Sequence, residues 1–199
     1  MRPAQLLLGA ACLAIVGHAR QAHAYERQWH VGGSFGYVFA PFPVAGATHG
    51  FGGGAHVAYG VSDAFNLRVN LDVLGFSVAE PQAENAPVPP EGIPHHAATV
   101  WSGTVGAEYV LDILEWVPYF GLALGFADVV QPPTGAASGE RLHDPNLAFE
   151  IPFGIAYLPI PELSVGLEGR YRVLALGSSP RTPVQMILAG ARLEYVWGY

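Results

Sequence analysis

The segment Leu67-Arg68-Val69-Asn70-Leu71-Asp72-Val73 is aliphatic at every odd position and polar at every even one. Period two is the signature of a strand with two unlike faces, because successive side chains point to opposite sides. The same rule runs through most of the chain. It holds over Leu147–Tyr157, over Leu163–Val173, and from about Val184 to Tyr199. It holds less cleanly over Trp29–Phe39, Phe51–Val61, Thr99–Leu111 and Trp116–Phe126. These are eight strands, each near or above the ~9–11 residues that a tilted strand needs to cross a bilayer.

The connections alternate in length. Those after the second, fourth and sixth strands are tight: Ser62-Asp63-Ala64, Asp112-Ile113-Leu114-Glu115 and Pro159-Ile160-Pro161-Glu162. Those after the other strands are long: about Ala40–Gly50, Ser77–His96, Ala127–Asn146 and Leu174–Pro183. Short turns at one end and long loops at the other match a closed antiparallel barrel set in an outer membrane, with the turns and both termini periplasmic.

The first 24 residues read differently. Arg2, an apolar run from Leu6 to Val16, and the Ala22-His23-Ala24 site before Tyr25 fit a cleavable signal peptide. The reading is therefore residues 1–24 as signal and residues 25–199 as one barrel domain. The single cysteine, Cys12, lies in the signal, so the mature barrel is expected to hold no disulfide. Mean hydropathy is positive, +0.28, yet beyond the signal no apolar run approaches the ~20 residues of a spanning helix. All nine basic residues are arginine. Past the signal, seven arginines face sixteen acids, which argues against a nucleic-acid partner.

A soluble barrel also alternates, with its faces swapped. Three features point to the membrane type. The non-apolar face is small rather than charged: Gly32, Ser34 and Gly36; Gly52, Gly54, Ala58 and Gly60; Ser102, Thr104 and Gly106; Gly121, Ala123 and Gly125. Small residues suit the lumen of an eight-stranded barrel, which is only just wide enough for side chains. Aromatics on the apolar face gather in two bands. Trp29, Tyr59, Phe65, Tyr109, Trp116, Tyr157 and Trp197 lie near the turns, and Phe39, Phe51, Trp101, Phe126 and Phe149 near the loops, with mainly aliphatic and small residues between. Such bands fit two bilayer interfaces. Finally, Leu193, Tyr195, Trp197 and Tyr199 share one face and end on an aromatic, which resembles the C-terminal assembly signal of outer-membrane proteins.

Two segments carry a closer resemblance. Pro118-Tyr119-Phe120-Gly121-Leu122-Ala123-Leu124-Gly125 is similar to the Pro-Tyr, alternating-glycine strand of small OmpA/OmpX/Ail-like barrels. Val165-Gly166-Leu167-Glu168-Gly169-Arg170-Tyr171-Arg172 resembles their penultimate strand, where a lumen Glu precedes an Arg-Tyr pair. The resemblance implies an all-β, eight-stranded, antiparallel up-and-down transmembrane barrel without an appended periplasmic domain. It also implies contact with outer-membrane lipid and lipopolysaccharide, and with the barrel-assembly machinery during insertion.

The expected lumen gathers nearly every strand charge: Arg68, Asp72, Glu108, Glu150, Glu168, Arg170, Arg172, Arg192 and Glu194, joined by His30 and His56. Counting from the turns sets Arg68 near Glu108, Glu150 near Arg170, and Glu168 near Arg192. Interleaved signs favour a paired network tying neighbouring strands, against side chains that merely face water. A structural or surface-interaction role leads. A narrow channel and a lipid A-modifying enzyme are the alternatives. No catalytic, cofactor or metal residues are assigned. The His-x-Ser spacing of a lipid A deacylase does not occur, and His95-His96, with Glu91 nearby, is expected in a loop with too few ligands for a metal. The segments Gln82–Pro94 and Pro132–Asn146 remain as possible partner-binding loops.

Overall fold

The computed structural model describes residues 26–42, 46–79, 95–111, 116–131, 142–175 and 183–198. The signal-cleavage residues Ala22, Ala24 and Tyr25, the terminal Tyr199, Glu91, and the loop segments 82–94 and 132–141 lie outside the described residues.

Eight strands follow in order: β1 Trp29–Phe42, β2 Gly46–Ser62, β3 Phe65–Ala79, β4 His95–Val110, β5 Trp116–Gln131, β6 Leu142–Ile160, β7 Leu163–Ala175 and β8 Val184–Trp197. Each pairs antiparallel with the next, and β8 returns to β1, so the sheet closes into a barrel. Closure leaves no strand edge unpaired, a condition that hydrocarbon imposes on any spanning sheet.

Most turn-end boundaries lie close to those of the alternation pattern, but β6 runs on through Pro159 and Ile160, which the pattern placed in the tight turn. At the loop end the strands run further than the pattern indicated. Residues 77–79 and 127–131 belong to β3 and β5, and His95-His96 begin β4 rather than sitting in a loop. Backbone pairing continues there after strict alternation has faded; Val78 pairs with His96 and Val130 with His143. Two bulges, between Gly60 and Ser62 and between Tyr157 and Ile160, bend strands beside the tight turns.

Ladder partners do not stay at one height. The row that starts at His30 near the turns passes through Ala58, Arg68, Gly106, Ala123, Glu150 and Arg172 to Met186 near the loops. That climb is the strand tilt required to close a barrel.

The faces are inverted relative to a soluble protein. Leu122 is 70% and Leu167 67% exposed on the outside, while Arg172 is 0% exposed within. Near the turns the outward aromatics touch one another: Trp29 and Tyr59 at 4.7 Å between ring centres, Trp116 and Tyr157 at 4.9 Å, Phe65 and Tyr109 at 5.1 Å. The belt between the bands is more aromatic than expected. Phe35, Phe120 and Phe153 also face outward. Phe153 lies over outward-facing Gly169, and Phe126 over Gly103. The rings thus cover bare backbone that glycine leaves on the neighbouring strand.

One seam interrupts the wall. Between β5 and β6 the ladder pairs Phe120 with Phe153 and Ala123 with Glu150, in unbroken register, but skips Gly121–Pro152 and Leu122–Ile151. Pro152 has no amide hydrogen to give to the ladder.

Candidate functional site

The lumen is built in layers. Inward positions near the loops are mainly apolar, Thr48 excepted: Val38, Ala40, Leu74, Phe76, Ala98, Val100, Ala127, Val129, Ala148, Leu174, Met186 and Leu188 form one buried cluster. Below it lies the charged layer. Beside the turns a smaller cluster of Val110, Val117, Tyr119 and Ala156 occupies part of the cross-section. The upper apolar layer was not anticipated. Its signal lay in the parity: Leu74, Phe76, Val100, Met186 and Leu188 share the inward face with Asp72, Ser102 and Arg192.

Most of the charged side chains are seated against a small one, Arg170 and Arg172 excepted. Asp72 lies opposite Gly54 and Ser102, Glu194 opposite Gly32 and Ser164, Glu168 opposite Gly154 and Gly190, and Arg68 opposite Ala58 and Gly106. A Cβ at Gly54 would run into the Asp72 carboxylate. At Gly32 it would come 2.8 Å from Glu194 Cγ, and at Gly121 3.1 Å from Glu108 Cγ. The glycines are therefore sockets that give long side chains room to cross a narrow interior.

All nine predicted lumen residues are at least 95% buried and belong to one connected cluster. Arg172 donates to Asp72 at 2.8 Å and to Ser102 Oγ at 2.6 Å, and pairs closely with Glu150. Arg170 donates to both Asp72 oxygens at 2.8 and 2.9 Å, and its Nε lies 3.0 Å from Glu168. Arg68 bridges Glu108 at 2.8 Å and Glu168 at 3.1 Å, with its Nε on Asn70 Oδ1 at 2.6 Å. Arg192 holds Glu194 at 2.6 Å and stacks over the Tyr119 ring at 4.4 Å. His56 Nε2 sits 2.6 Å from Glu194, and His30 Nδ1 3.7 Å from it.

The individual pairings differ in detail from a count of heights. Arg68 and Glu108 do meet. Glu150 lies on the ladder opposite Arg172, with Arg170 two residues lower and 4.0 Å away. Glu168 and Arg192 approach only to 3.8 Å, because the ladder sets each opposite a glycine, Gly190 and Gly166. Strand tilt also lets arginines on β7 reach across the barrel, which a neighbour-only count cannot show. Asn66, Asn70, Ser34, Ser102, Thr104 and Tyr119 join the cluster as polar partners or neighbours. Their inward parity was visible in the sequence, but their partners were not.

The chemistry of this arrangement is electrostatic packing. Carboxylates and guanidiniums pair with one another, though Glu108 Oε2, Glu150 Oε1 and Arg192 Nε and Nη1 lack hydrogen-bond partners, and among the described residues no exposed acid–imidazole–hydroxyl constellation occurs within the lumen. Among the described residues no group of three or more His, Cys, Asp or Glu side chains gathers in a way that could hold a metal ion. On the outer wall, His143 and Asp128 form a separate pair at 2.7 Å near the loop end.

An apolar exterior, an aromatic girdle and a charged lumen inside a closed barrel of eight antiparallel strands define the fold of the small outer-membrane β-barrels. No family model and no curated protein matches the sequence. Solved structures do match. Neisserial surface protein A aligns with 84% of this chain and 96% of its own at a TM-score of 0.62 and 17% identity. The outer-membrane protein OprG from Pseudomonas aeruginosa aligns with 89% of this chain and 99% of its own, TM-score 0.59, 12% identity. Ail, the attachment invasion locus protein of Yersinia pestis, aligns with 86% of this chain and 99% of its own, TM-score 0.51, 13% identity. At these identities the likeness is one of fold.

Proposed function

We propose that the chain is an integral protein of a bacterial outer membrane, exported by its N-terminal signal, that stabilises the envelope or presents surface contacts and neither conducts nor catalyses. One observation carries this reading. The lumen is filled by the ion-paired layer and capped by twelve buried apolar residues at the loop end. Ions would meet fixed, mutually neutralised charges and then a dry layer. A narrow channel and a lipid A-modifying enzyme find less support, since among the described residues neither an open path nor a constellation of catalytic groups accompanies the charges.

The outward face fits outer-membrane lipid and lipopolysaccharide as its surroundings. The stripe of Leu193, Tyr195, Trp197 and Tyr199 suits recognition by the barrel-assembly machinery, and the long loops are the candidate contact surfaces. Two measurements test the reading. Outer-membrane fractions should contain the chain as a heat-modifiable band, faster when unboiled. Cells lacking it should leak periplasmic enzyme under detergent stress. A soluble, unshifted band would refute the location; an unaltered envelope together with a lipid A mass shift on expression would favour the enzyme.

A further inference from the structure

The barrel closes where its last strand meets its first, and one side chain reaches beyond that seam. Glu194 on β8 faces Gly32 on β1 in the ladder, and Gly32 in turn faces His56 on β2. Because Gly32 has no side chain, the Glu194 carboxylate passes over β1 and meets His56 Nε2 at 2.6 Å. His30, on β1, stands with its Nδ1 3.7 Å from the second carboxylate oxygen. The last strand is fastened from inside to the second strand, across the first. Glu194, His56 and His30 are all buried.

The Glu194 oxygen that meets His56 also lies 2.6 Å from Arg192 Nη2. Arg192 depends on that oxygen: its Nε and Nη1 have no acceptor, and Glu108 and Glu168 come no closer to it than 3.8 Å. Around His56 stand Arg192 and Glu194 on β8, Arg68 and Asn70 on β3, and Glu168 on β7, with His30 on the other side of the Glu194 carboxylate. Glu108 on β4 and Tyr119 on β5 lie behind Arg68 and Arg192. A protonated ring at His56 would set a third cation beside Arg68 and Arg192 and compete with Arg192 for its one close acceptor. We propose that Glu194 and His56 form a pH-sensitive clasp on the closing seam: at neutral pH a neutral His56 donates to Glu194 and holds β8 to β2, and acid releases it. Protons are taken up where the imidazole can carry its charge in water, so falling pH favours the open clasp. Release loosens the seam between β1 and β8 and leaves the Arg172–Asp72 bond between β7 and β3 in place.

The test is amide hydrogen exchange of the refolded barrel in micelles at about pH 7 and about pH 5, either side of the imidazole range, corrected for the intrinsic pH dependence of exchange. Protection of β1 and β8 should fall about tenfold relative to β4 and β5 on the far side, on the scale of a single linked proton. His56→Gln keeps a donor for Glu194 but does not titrate, so protection of the seam should be the same at both pH values. His30→Gln should retain the wild-type response, and its loss there would overturn the assignment to His56. The proposal is also overturned by equal wild-type protection at both pH values, by a loss spread evenly around the barrel, or by a response that persists in His56→Gln. Should His56→Gln fail to fold, the imidazole nitrogen shifts of the wild-type barrel decide. A neutral His56 with its hydrogen on Nε2, becoming charged as seam protection falls, supports the clasp; a ring already charged at neutral pH, or still neutral after the seam has loosened, contradicts it.

Discussion

Arg172 on β7 donates to Asp72 on β3 at 2.8 Å across the full width of the barrel, since the two strands stand four apart in a ring of eight. Arg170 meets the same carboxylate with two bonds. One buried anion therefore ties opposite walls together and neutralises parts of two cations.

Asp72→Asn should be among the most destabilising single substitutions in the lumen. It keeps the shape but strands two buried guanidiniums, and breaking a buried pair in this way costs about 3–5 kcal/mol. Equilibrium urea unfolding of the refolded barrel would measure it. A loss below about 1 kcal/mol would show that water rather than Asp72 solvates the arginines.

The glycine sockets predict opposite outcomes on the two faces of the wall. Gly54→Ala sets a methyl against the Asp72 carboxylate and the backbone of Leu71, so overpacking should cost about 1–3 kcal/mol. Gly75→Ala points outward, with its nearest atom 3.8 Å away. It should stay within about 0.5 kcal/mol of wild type. Unfolding midpoints of the two variants, taken side by side, check the assignment of faces.

The β5–β6 seam should be the weakest stretch of wall at its depth. Amide exchange at Gly121, which faces Pro152 across this gap, should outpace exchange at Leu71 and Gly103, which lie in continuous ladders. Pro152→Ala supplies the missing hydrogen and should slow exchange at this seam. Equal rates in both proteins would show that the interruption carries no dynamic consequence.

The apolar layer should contribute as a packed core does. Leu74 is 1% exposed within it, and Leu74→Ala should cost about 2–5 kcal/mol through lost burial and the cavity left behind. The charged layer beneath remains, so this variant should still not conduct. Thermal unfolding of the variant, followed by a mobility shift on gels, reads the loss.

Much of this architecture is legible in the sequence, because alternation assigns faces one residue at a time. Leu67 to Val73 discloses a strand, an outside and an inside within seven positions, and the inward charges follow from the same parity. What alternation does not carry is the relation between distant strands. The Arg172–Asp72 bond depends on tilt and on side-chain reach, and the pairing of Glu150 with Arg172 on ladder register. The loop-end layer escaped notice for another reason. Val100 and Leu74 continue the inward parity with apolar residues, so the two faces become alike and the pattern loses contrast where the apolar layer lies. His95-His96 fell to the same fading, which made strand look like loop.

The sealed lumen is the centre of this account, and planar-bilayer recording of the refolded barrel tests it most directly. The prediction is a flat baseline in concentrated salt, with insertion verified independently by protease protection of the barrel. Reproducible, voltage-stable current steps from the wild-type protein would contradict it, since no such current can pass Leu74, Val100 and Met186 while they remain packed across the loop end.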